Sequence, residues 1–142
     1  MQRKEFLSSQ DWVNIVESVE DALQKDYTAE ISIGGGEPYL HNCVFDIMKA
    51  SKQKGFRCSI STNGSILTKS IIDRSIESGL RGINISLDSL NEEVHDKYRG
   101  MKGSYNKVLK ALDYIKSTGK LDLSINTVFM KANIDDIIPL AE

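Results

Sequence analysis

Cysteine is scarce in this chain: of 142 residues, only Cys43 and Cys58 carry a thiol. Two cysteines are too few for a disulfide framework or for a self-contained metal site built on three or four thiolates. The two histidines, His41 and His95, have no neighbours at ligand spacing, so no metal site is predicted. We therefore expect reduced thiols and a cytoplasmic protein.

Long apolar runs and an excess of one charge are also absent. No segment approaches the ~18 uninterrupted apolar residues of a membrane span, and residues 1–9 lack the apolar core of a signal peptide. Lysine and arginine number 18 against 20 acidic residues, so no field of one sign attracts nucleic acid or an anionic membrane. The local basic excess in residues 91–120 is interpreted as the solvated face of a helix. Neither a nucleic acid nor a membrane is a predicted partner.

Hydrophobic periodicity predicts a chain of βα units within one domain, residues 1–142. A helix over residues 8–25 is followed by four units near 29–54, 56–78, 82–117 and 121–142, because the apolar spacing switches repeatedly between about 2 and about 3.6 residues. Units of this length join parallel strands. Periodicity leaves open whether the sheet curls into part of a barrel, with helices on one side, or stays open with helices on both faces.

The last unit carries a specific expectation. Asn133 is predicted to cap a helix, since asparagine is a favoured residue at a helix start. The apolar face of that helix is predicted to consist of Ile134, Ile137, Ile138 and Ala141. We expect this face to pack inward, as the corresponding faces of the earlier helices do.

Polar or glycine-rich segments follow all four predicted strands. In chain order they are residues 34–38, 61–64, 86–89 and 126–127. The carboxyl ends of parallel strands meet at one edge of a sheet, where the loops and side chains of active sites gather. Four such ends are more than turn chemistry needs, so this edge is the candidate functional site.

The glycine run after the first strand has two interpretations. Gly34, Gly35 and Gly36 let a ligand approach the backbone with no Cβ in the way. Glu37 adds a carboxylate suited to a cationic group, and Pro38 stiffens the exit from the turn. The alternative is a tight strand-to-helix turn with a solvated glutamate.

The next two strand ends carry similar alternatives. Thr62 and Asn63 offer a hydroxyl and an amide to a ligand, or they form a local cap and turn. Ser86 and Asp88 are two residues apart in an extended segment and so point the same way, where they can grip a ribose or an amino-acid carboxylate. Arg99 either pairs with a ligand carboxylate or is an ordinary surface arginine.

Taken in order, these segments resemble those of radical S-adenosylmethionine (SAM) enzymes. The nearest type is that of molybdenum cofactor biosynthesis protein A and the enzymes that mature peptides and coenzyme PQQ. The segments that carry the resemblance are 31–38, 60–64, 85–89, 98–100, 103–105, 125–128 and 133–136. The resemblance implies an α/β fold, a partial (βα) barrel of the TIM-like radical SAM type with about four parallel βα units.

The resemblance also implies roles for individual residues. In such enzymes the glycine-rich segment contacts the methionine amino group of SAM, and the second strand end lines the cavity beside it. The third strand end meets the methionine carboxylate or ribose, and the fourth lies near the adenosine. The matching residues are, in the same order, Gly35, Gly36, Glu37 and Pro38; Thr62 and Asn63; Ser86 and Asp88, with Arg99 assisting; and Asn126.

One defining feature of these enzymes is missing. The Cys-x3-Cys-x2-Cys loop that holds a [4Fe-4S] cluster would precede a helix like 8–25, but residues 1–7 contain no cysteine. Cys58 alternates with strand core residues and Cys43 lies at a helix start, so both are interpreted as packing residues. The chain is also well short of the ~250 residues of a complete eight-stranded barrel.

These deficits lead to three hypotheses. In the first, the chain is a fragment, expected to be inactive alone, of an enzyme whose cluster is reduced by flavodoxin or ferredoxin. That enzyme cleaves SAM to a 5′-deoxyadenosyl radical and abstracts hydrogen from a peptide or small molecule. In the second, the chain is a cluster-less homologue that serves as a binding or scaffolding module; in the third, it is a non-redox α/β domain that binds an anion or nucleotide. Open sheet edges predict that a fragment dimerises or aggregates.

Overall fold

Four parallel strands form a single sheet in the structure, a computed structural model that describes residues 7–23 and 29–141. The order of the strands across the sheet is their order along the chain, and each neighbouring pair is parallel. The predicted α/β class with four parallel strands is therefore confirmed. The strands are β1 (Glu30–Ile33), β2 (Arg57–Thr62), β3 (Gly82–Ser86) and β4 (Asp122–Asn126).

Helices connect the strands. α1 precedes β1, α2 and α3 follow β1 and β2, α4 and α5 lie between β3 and β4, and α6 follows β4. None of the helices in the described part of the chain is long and apolar enough to cross a membrane. The helices are α1 (Ser9–Ala22), α2 (Val44–Gln53), α3 (Lys69–Ser78), α4 (Glu92–Arg99), α5 (Ser104–Thr118) and α6 (Ile137–Ala141), with 3₁₀ turns at Pro38–Leu40 and Ile134–Asp136.

The first helix begins with a reciprocal cap. The Ser8 N–H donates to Asp11 Oδ2 at 2.8 Å, and the Asp11 N–H donates to Ser8 Oγ at 3.2 Å. Two of the otherwise unpaired N–H groups of the helix start are satisfied in this way. α1 ends at Ala22, earlier than expected, and residues 24 and 25 of the expected helix lie outside the described residues.

One face of the sheet carries the apolar core. Neighbouring strands place Cys58, Ile60, Ile83 and Ile85 side by side on this face, where each is at most 1% exposed. Helices α2, α3 and α5 pack on these residues, and α1 reaches β1 through Val16. The two apolar clusters of the described residues include no strand residue of the opposite face. A sequential strand order under one layer of helices is the arrangement of part of a βα barrel, which decides the question that periodicity left open.

The last unit differs from its prediction. Asn133 makes no side-chain cap, and the expected helix is a 3₁₀ turn followed by the short α6. Ile134, Ile137 and Ile138 are 51%, 39% and 71% exposed rather than packed inward. The reason is that β4 is the last strand of the described sheet, so no described element lies beyond it to cover this apolar face.

Candidate functional site

A carboxylate joins the ends of β1 and β2. Glu37 accepts hydrogen bonds from the Thr62 hydroxyl at 2.8 and 2.9 Å and from the Asn63 N–H at 2.9 Å. It also accepts from the Tyr39 N–H at 3.3 Å, at the start of the 3₁₀ turn. A carboxylate has about four lone-pair sites, so most of its accepting capacity is used within the chain. The sequence offered Glu37 a cationic ligand or open solvent, and in the structure its carboxylate holds the glycine loop against β2.

The glycine loop itself presents bare backbone at the carboxyl edge. Gly35 and Gly36 have φ of 90° and 21°, in the region that favours glycine, and both are exposed. A Cβ built on Gly34, Gly35 or Gly36 would meet no atom within 4 Å. Pro38 follows as a buried residue at the first position of the 3₁₀ turn. A ligand can therefore approach the peptide groups of this loop directly.

Thr62 and Asn63 also shape the turn that follows β2. The Gly64 N–H donates to Thr62 Oγ1 at 3.1 Å, and the Ser65 N–H donates to Asn63 Oδ1 at 2.9 Å. Gly64 has φ of 75°, and a Cβ there would lie 2.8 Å from Val108 Cγ2 of α5. The local turn proposed from the sequence is therefore present, together with the contact to Glu37.

Asp88 and Arg99 form an ion pair just beyond β3. Arg99 Nη2 donates to Asp88 Oδ1 at 2.9 Å, and Arg99 Nε lies 2.8 Å from Asp88 Oδ2. Asp88 is 4% exposed. The sequence offered Arg99 a ligand carboxylate or open solvent, and its partner in the structure is instead a carboxylate of the same chain. Ser86, at the end of β3, is half-buried and has no hydrogen-bond partner for its hydroxyl in the described part of the chain.

His95 supports Asp88 from α4. The Asp88 N–H donates to His95 Nδ1 at 3.2 Å, and the imidazole is fully buried. Burial, and secondly the charge of Arg99, lower the pKa of His95 from its ordinary 6.5. Because Nδ1 accepts, the neutral ring carries its proton on Nε2, which has no hydrogen-bond partner among the described residues and lies in a ring that meets Tyr105 edge-on at 5.9 Å.

Asn133 ties the end of β3 to the loop after β4. Its Nδ2 donates to the backbone carbonyls of Asp88 and Val128, and its Oδ1 accepts from the Met130 N–H at 2.6 Å. Asn133 is 2% exposed. Two backbone carbonyls thus draw this side chain inward, which is why it does not cap a helix.

Further cross-links run in parallel to those of Asn133. The Val128 N–H donates to Asp88 Oδ1 at 3.1 Å, and the Thr127 hydroxyl donates to the Leu87 carbonyl at 2.8 Å. Asp136 accepts from the Ser89 hydroxyl and from the Leu90 N–H. Several hydrogen bonds therefore join the residues that follow β3 to those that follow β4. Sequence periodicity does not predict these contacts.

Asp96 caps the next helix. Its carboxylate accepts from the Tyr105 N–H and the Ser104 hydroxyl, each at 2.9 Å, and from the Gly103 N–H. The bond from Tyr105 is the main reason that the pKa of Asp96 lies below its ordinary value. Segment 103–105 is thus held against α4 at the junction of α4 and α5.

Asn126 stands exposed at the end of β4. It lies with Thr127 and Phe129 on the wall of an open depression of about 530 Å³, which α6 borders through Ile137 and Leu140. Its carboxamide has no hydrogen-bond partner within the described residues. The end of β4 therefore offers a free amide to a ligand.

The described residues do not fit a [4Fe-4S] cluster. They contain no group of three or more His, Cys, Asp and Glu side chains placed to hold a metal ion. Cys43 immediately precedes α2, and Cys58 is fully buried in β2. Burial raises the pKa of Cys58 to about 11, which disfavours the thiolate that binds iron.

A single helix layer over parallel strands, with glycine-rich and polar strand ends, defines a partial βα-barrel protein with a candidate ligand site at its carboxyl edge. The family model of the radical SAM superfamily matches residues 3–142, so the chain belongs to that superfamily. The resemblance drawn from the strand-end segments is confirmed. SAM and a [4Fe-4S] cluster are the cofactors that this family implies for its members.

Two relatives show how similar the chain is to curated proteins and how much of their length it covers. The AdoMet-dependent heme synthase of Methanosarcina barkeri is 31% identical over 105 residues, which is 74% of this chain and 30% of that protein. The mycofactocin maturase MftC of Mycolicibacterium smegmatis is 30% identical over 131 residues, 92% of this chain and 32% of that protein. The chain thus spans about a third of the length of these relatives.

A solved structure supports the fold. SuiB of Streptococcus suis, bound to S-adenosylmethionine, has a TM-score of 0.81 and 23% identity, with 99% of this chain and 32% of that chain covered. A second SuiB structure, with a TM-score of 0.80 and 23% identity, is bound to the precursor peptide SuiA and covers 99% of this chain and 30% of that chain. At this level of identity the likeness shows the fold alone.

Proposed function

We propose that this chain is the SAM-binding part of a longer radical SAM enzyme, and that it has no activity on its own. The observation that carries the proposal is the open glycine loop, whose bare peptide groups lie at the carboxyl edge of four parallel strands. When bound, SAM and a reduced [4Fe-4S] cluster supply a hydrogen-abstracting radical. The described residues do not fit that cluster, so its ligands belong to another part of the enzyme.

The residues of this chain bind and orient SAM. The peptide groups of Gly35 and Gly36 receive the methionine amino group, because no Cβ blocks their approach. Glu37 acts through Thr62 and Asn63 by holding the loop on β2, and Pro38 fixes the exit of the loop. This is a more indirect role for Glu37 than contact with the amino group.

The other two strand ends complete the proposed site. Ser86 and Asn126 carry polar groups that are free within the described residues, and we assign them to the ribose and adenosine of SAM. Asp88 and Arg99 neutralise each other just beyond the end of β3. The groups that contact SAM in this proposal are therefore peptide groups and neutral polar side chains, with no unpaired charge.

Substrate and redox partner follow from the proposed enzyme. A peptide or a small molecule is the substrate, and support for a peptide comes from a relative that is a maturase and from a structural neighbour bound to a precursor peptide. Flavodoxin or ferredoxin serves as the electron donor, in the cytoplasm. Within the described residues β1 and β4 each have one edge without a paired strand, which favours self-association of the chain. Sedimentation as a pure monomer would contradict this.

The test is a titration of the ¹⁵N-labelled chain with SAM, followed by NMR. We expect saturable shifts of the Gly35 and Gly36 amides, and we expect Gly35→Ala to abolish them. Gly119→Ala is a matched control, since Gly35 and Gly119 both have positive φ and open space around a new Cβ. Equal loss of binding in both variants, or no saturable shift in the native chain, would contradict the assignment of the loop.

A second candidate is a cluster-less binding module. It is favoured by the absence of a cluster ligand set from the described residues. Anaerobic reconstitution of the chain with iron and sulfide tests whether the chain can hold a cluster, and we expect no stable cluster. A stoichiometric [4Fe-4S] signal would show that Cys43 and Cys58 are not merely packing residues.

A further inference from the structure

Every polar atom of Asp88 has a partner. Its carboxylate accepts from the Val128 N–H at 3.1 Å and meets Arg99 through both oxygens, at 2.9 and 2.8 Å. Its carbonyl accepts from Asn133 Nδ2, and its N–H donates to His95 Nδ1 at 3.2 Å. A nearly buried residue whose polar groups are all paired is held in one position.

The contacts of Asp88 continue the pairing of β3 and β4 beyond the ends of the two strands. Ser86 and Asn126 are partners in the last register position of these strands. Beyond them, the Leu87 N–H donates to the Asn126 carbonyl at 3.1 Å, and the Val128 N–H donates to Asp88 Oδ1. The position of Asp88 is therefore coupled to the spacing between the two strand ends that carry Ser86 and Asn126.

The imidazole of His95 accepts the Asp88 N–H from α4. The ring is fully buried, and within the described residues this is the one hydrogen bond of that N–H. The neutral ring already carries a proton on Nε2, so a second proton is taken up at Nδ1, the atom that faces Asp88. Protonation therefore replaces a hydrogen bond with two opposed N–H groups.

Titratable side chains from the end of β3, from α4 and from α5 surround the imidazole. Asp88 follows β3, Arg99 and Asp96 lie on α4, and the Tyr105 ring of α5 lies 5.9 Å away. Burial, and secondly the charge of Arg99, lower the pKa of His95, and the two carboxylates oppose this effect. The imidazole is thus neutral above pH 6.5 and takes up a proton only at lower pH.

We propose that His95 is a positioning residue for SAM, which holds Ser86 and Asn126 in their binding geometry only while its imidazole is neutral. The inference rests on the proposed function, which assigns those two side chains to the ribose and adenosine. A second proton on the imidazole displaces the Asp88 N–H, and the spacing of the two strand ends changes with it. SAM affinity therefore falls with pH below 6.5.

The first experiment titrates the ¹⁵N-labelled chain with SAM and follows the Gly35 and Gly36 amides by NMR. It is done at about pH 8 and at about pH 5, the range over which a histidine changes charge. We expect the native chain to bind SAM about tenfold more weakly at the lower pH, the effect of losing about one buried hydrogen bond.

Two variants separate position from charge. His95→Asn offers a non-titrating oxygen at the same number of bonds from the backbone as Nδ1, so we expect native affinity at the higher pH and no fall at the lower one. His95→Leu has no acceptor and is expected to bind SAM about tenfold more weakly at both pH values. A native fall in His95→Asn, or native affinity in His95→Leu, would overturn the proposal.

His41→Asn is the matched control. It removes the other imidazole of the chain and leaves the contact of His95 with Asp88 in place. We expect its SAM affinity to fall with pH as that of the native chain does, because any titration of SAM itself is common to all variants. Loss of the fall in His41→Asn would show that His95 is not its source and would overturn the proposal.

A second measurement needs no variant. Because SAM binds the form in which His95 is neutral, linkage requires bound SAM to weaken proton binding at His95 by the same factor, about tenfold. The ring signals of His95 are followed by NMR against pH, with and without saturating SAM. Identical titration of His95 in both states would overturn the inference.

The two proposals fail separately. No saturable shift of Gly35 or Gly36 at either pH contradicts the proposed function and, with it, this inference. SAM binding that is independent of the state of His95 contradicts this inference alone.

Discussion

Glu37 and Thr62 connect two neighbouring strand ends, with Thr62 Oγ1 at 2.8 and 2.9 Å from the two carboxylate oxygens of Glu37. The residues are 25 positions apart, and Thr62 is 3% exposed. A charge-assisted hydrogen bond at a buried position is stronger than one between neutral groups. The glycine loop is therefore held in one place before any ligand binds.

Replacing Thr62 with valine keeps the shape of the side chain and removes its hydroxyl. We expect the free energy of unfolding to fall by about 1–3 kcal/mol, because Glu37 loses a donor and the Gly64 N–H loses its acceptor. Urea denaturation measures the change. Thr118→Val, at the carboxyl end of α5, is the control and is expected to cost less; an equal cost would contradict the role of the Glu37–Thr62 contact.

The ion pair of Asp88 and Arg99 predicts strong coupling. Arg99→Met leaves a nearly buried carboxylate without its cation, and we expect a loss of about 3 kcal/mol of unfolding free energy. Adding Asp88→Asn removes the stranded charge and is expected to recover part of that loss. A double-mutant cycle measures the coupling, and simple additivity of the two changes would argue against the pair.

His95 predicts a dependence of stability on pH. Its folded-state pKa is lowered by burial and by Arg99, so the unfolded chain takes up a proton below pH 6.5 more readily than the folded chain does. The contribution of His95 is thus fully present above that pH and is lost as the pH falls through the lowered folded-state pKa. Protonation also removes the Nδ1 acceptor of the Asp88 N–H.

We expect His95→Gln to flatten the fall in unfolding free energy immediately below pH 6.5, measured by urea denaturation at a series of pH values. His41→Gln is the control, because it also removes an imidazole but leaves the contact of His95 with Asp88 in place, and the fall in unfolding free energy just below pH 6.5 is expected to remain in this variant. If unfolding free energy depends on pH in His95→Gln as it does in the native chain, the assignment of this pH dependence to His95 is contradicted.

Asn133 and Ile138 test the corrected description of the last unit. Asn133→Ala removes the side-chain partners of two backbone carbonyls and of one N–H, and we expect it to cost about 1–3 kcal/mol of unfolding free energy. Ile138→Ser, at a residue that is 71% exposed, is expected to change it by less than about 0.5 kcal/mol. A larger loss of unfolding free energy in Ile138→Ser than in Asn133→Ala would favour the capped amphipathic helix predicted from the sequence.

Much of the fold and of the site's location follows from the sequence. Alternation around Cys58 and Ile60 predicts β2, and the apolar spacing of Val108, Leu112 and Ile115 predicts α5. Parallel strands place their carboxyl ends at one edge, so the polar segments after them had to meet there. The sequence failed at Asn133 because a capping residue and a buried amide look alike in a linear chain.

The sequence by itself determined the order of the βα units, the polar character of the strand ends and membership of the radical SAM superfamily. These depend on local periodicity and on motifs read along the chain. Only the tertiary structure decided that the helices form one layer, that Asp88 takes Arg99 as its partner and that Glu37 is committed to Thr62. Such pairings depend on which buried polar groups the folded chain brings together, and each must find a partner where water is excluded.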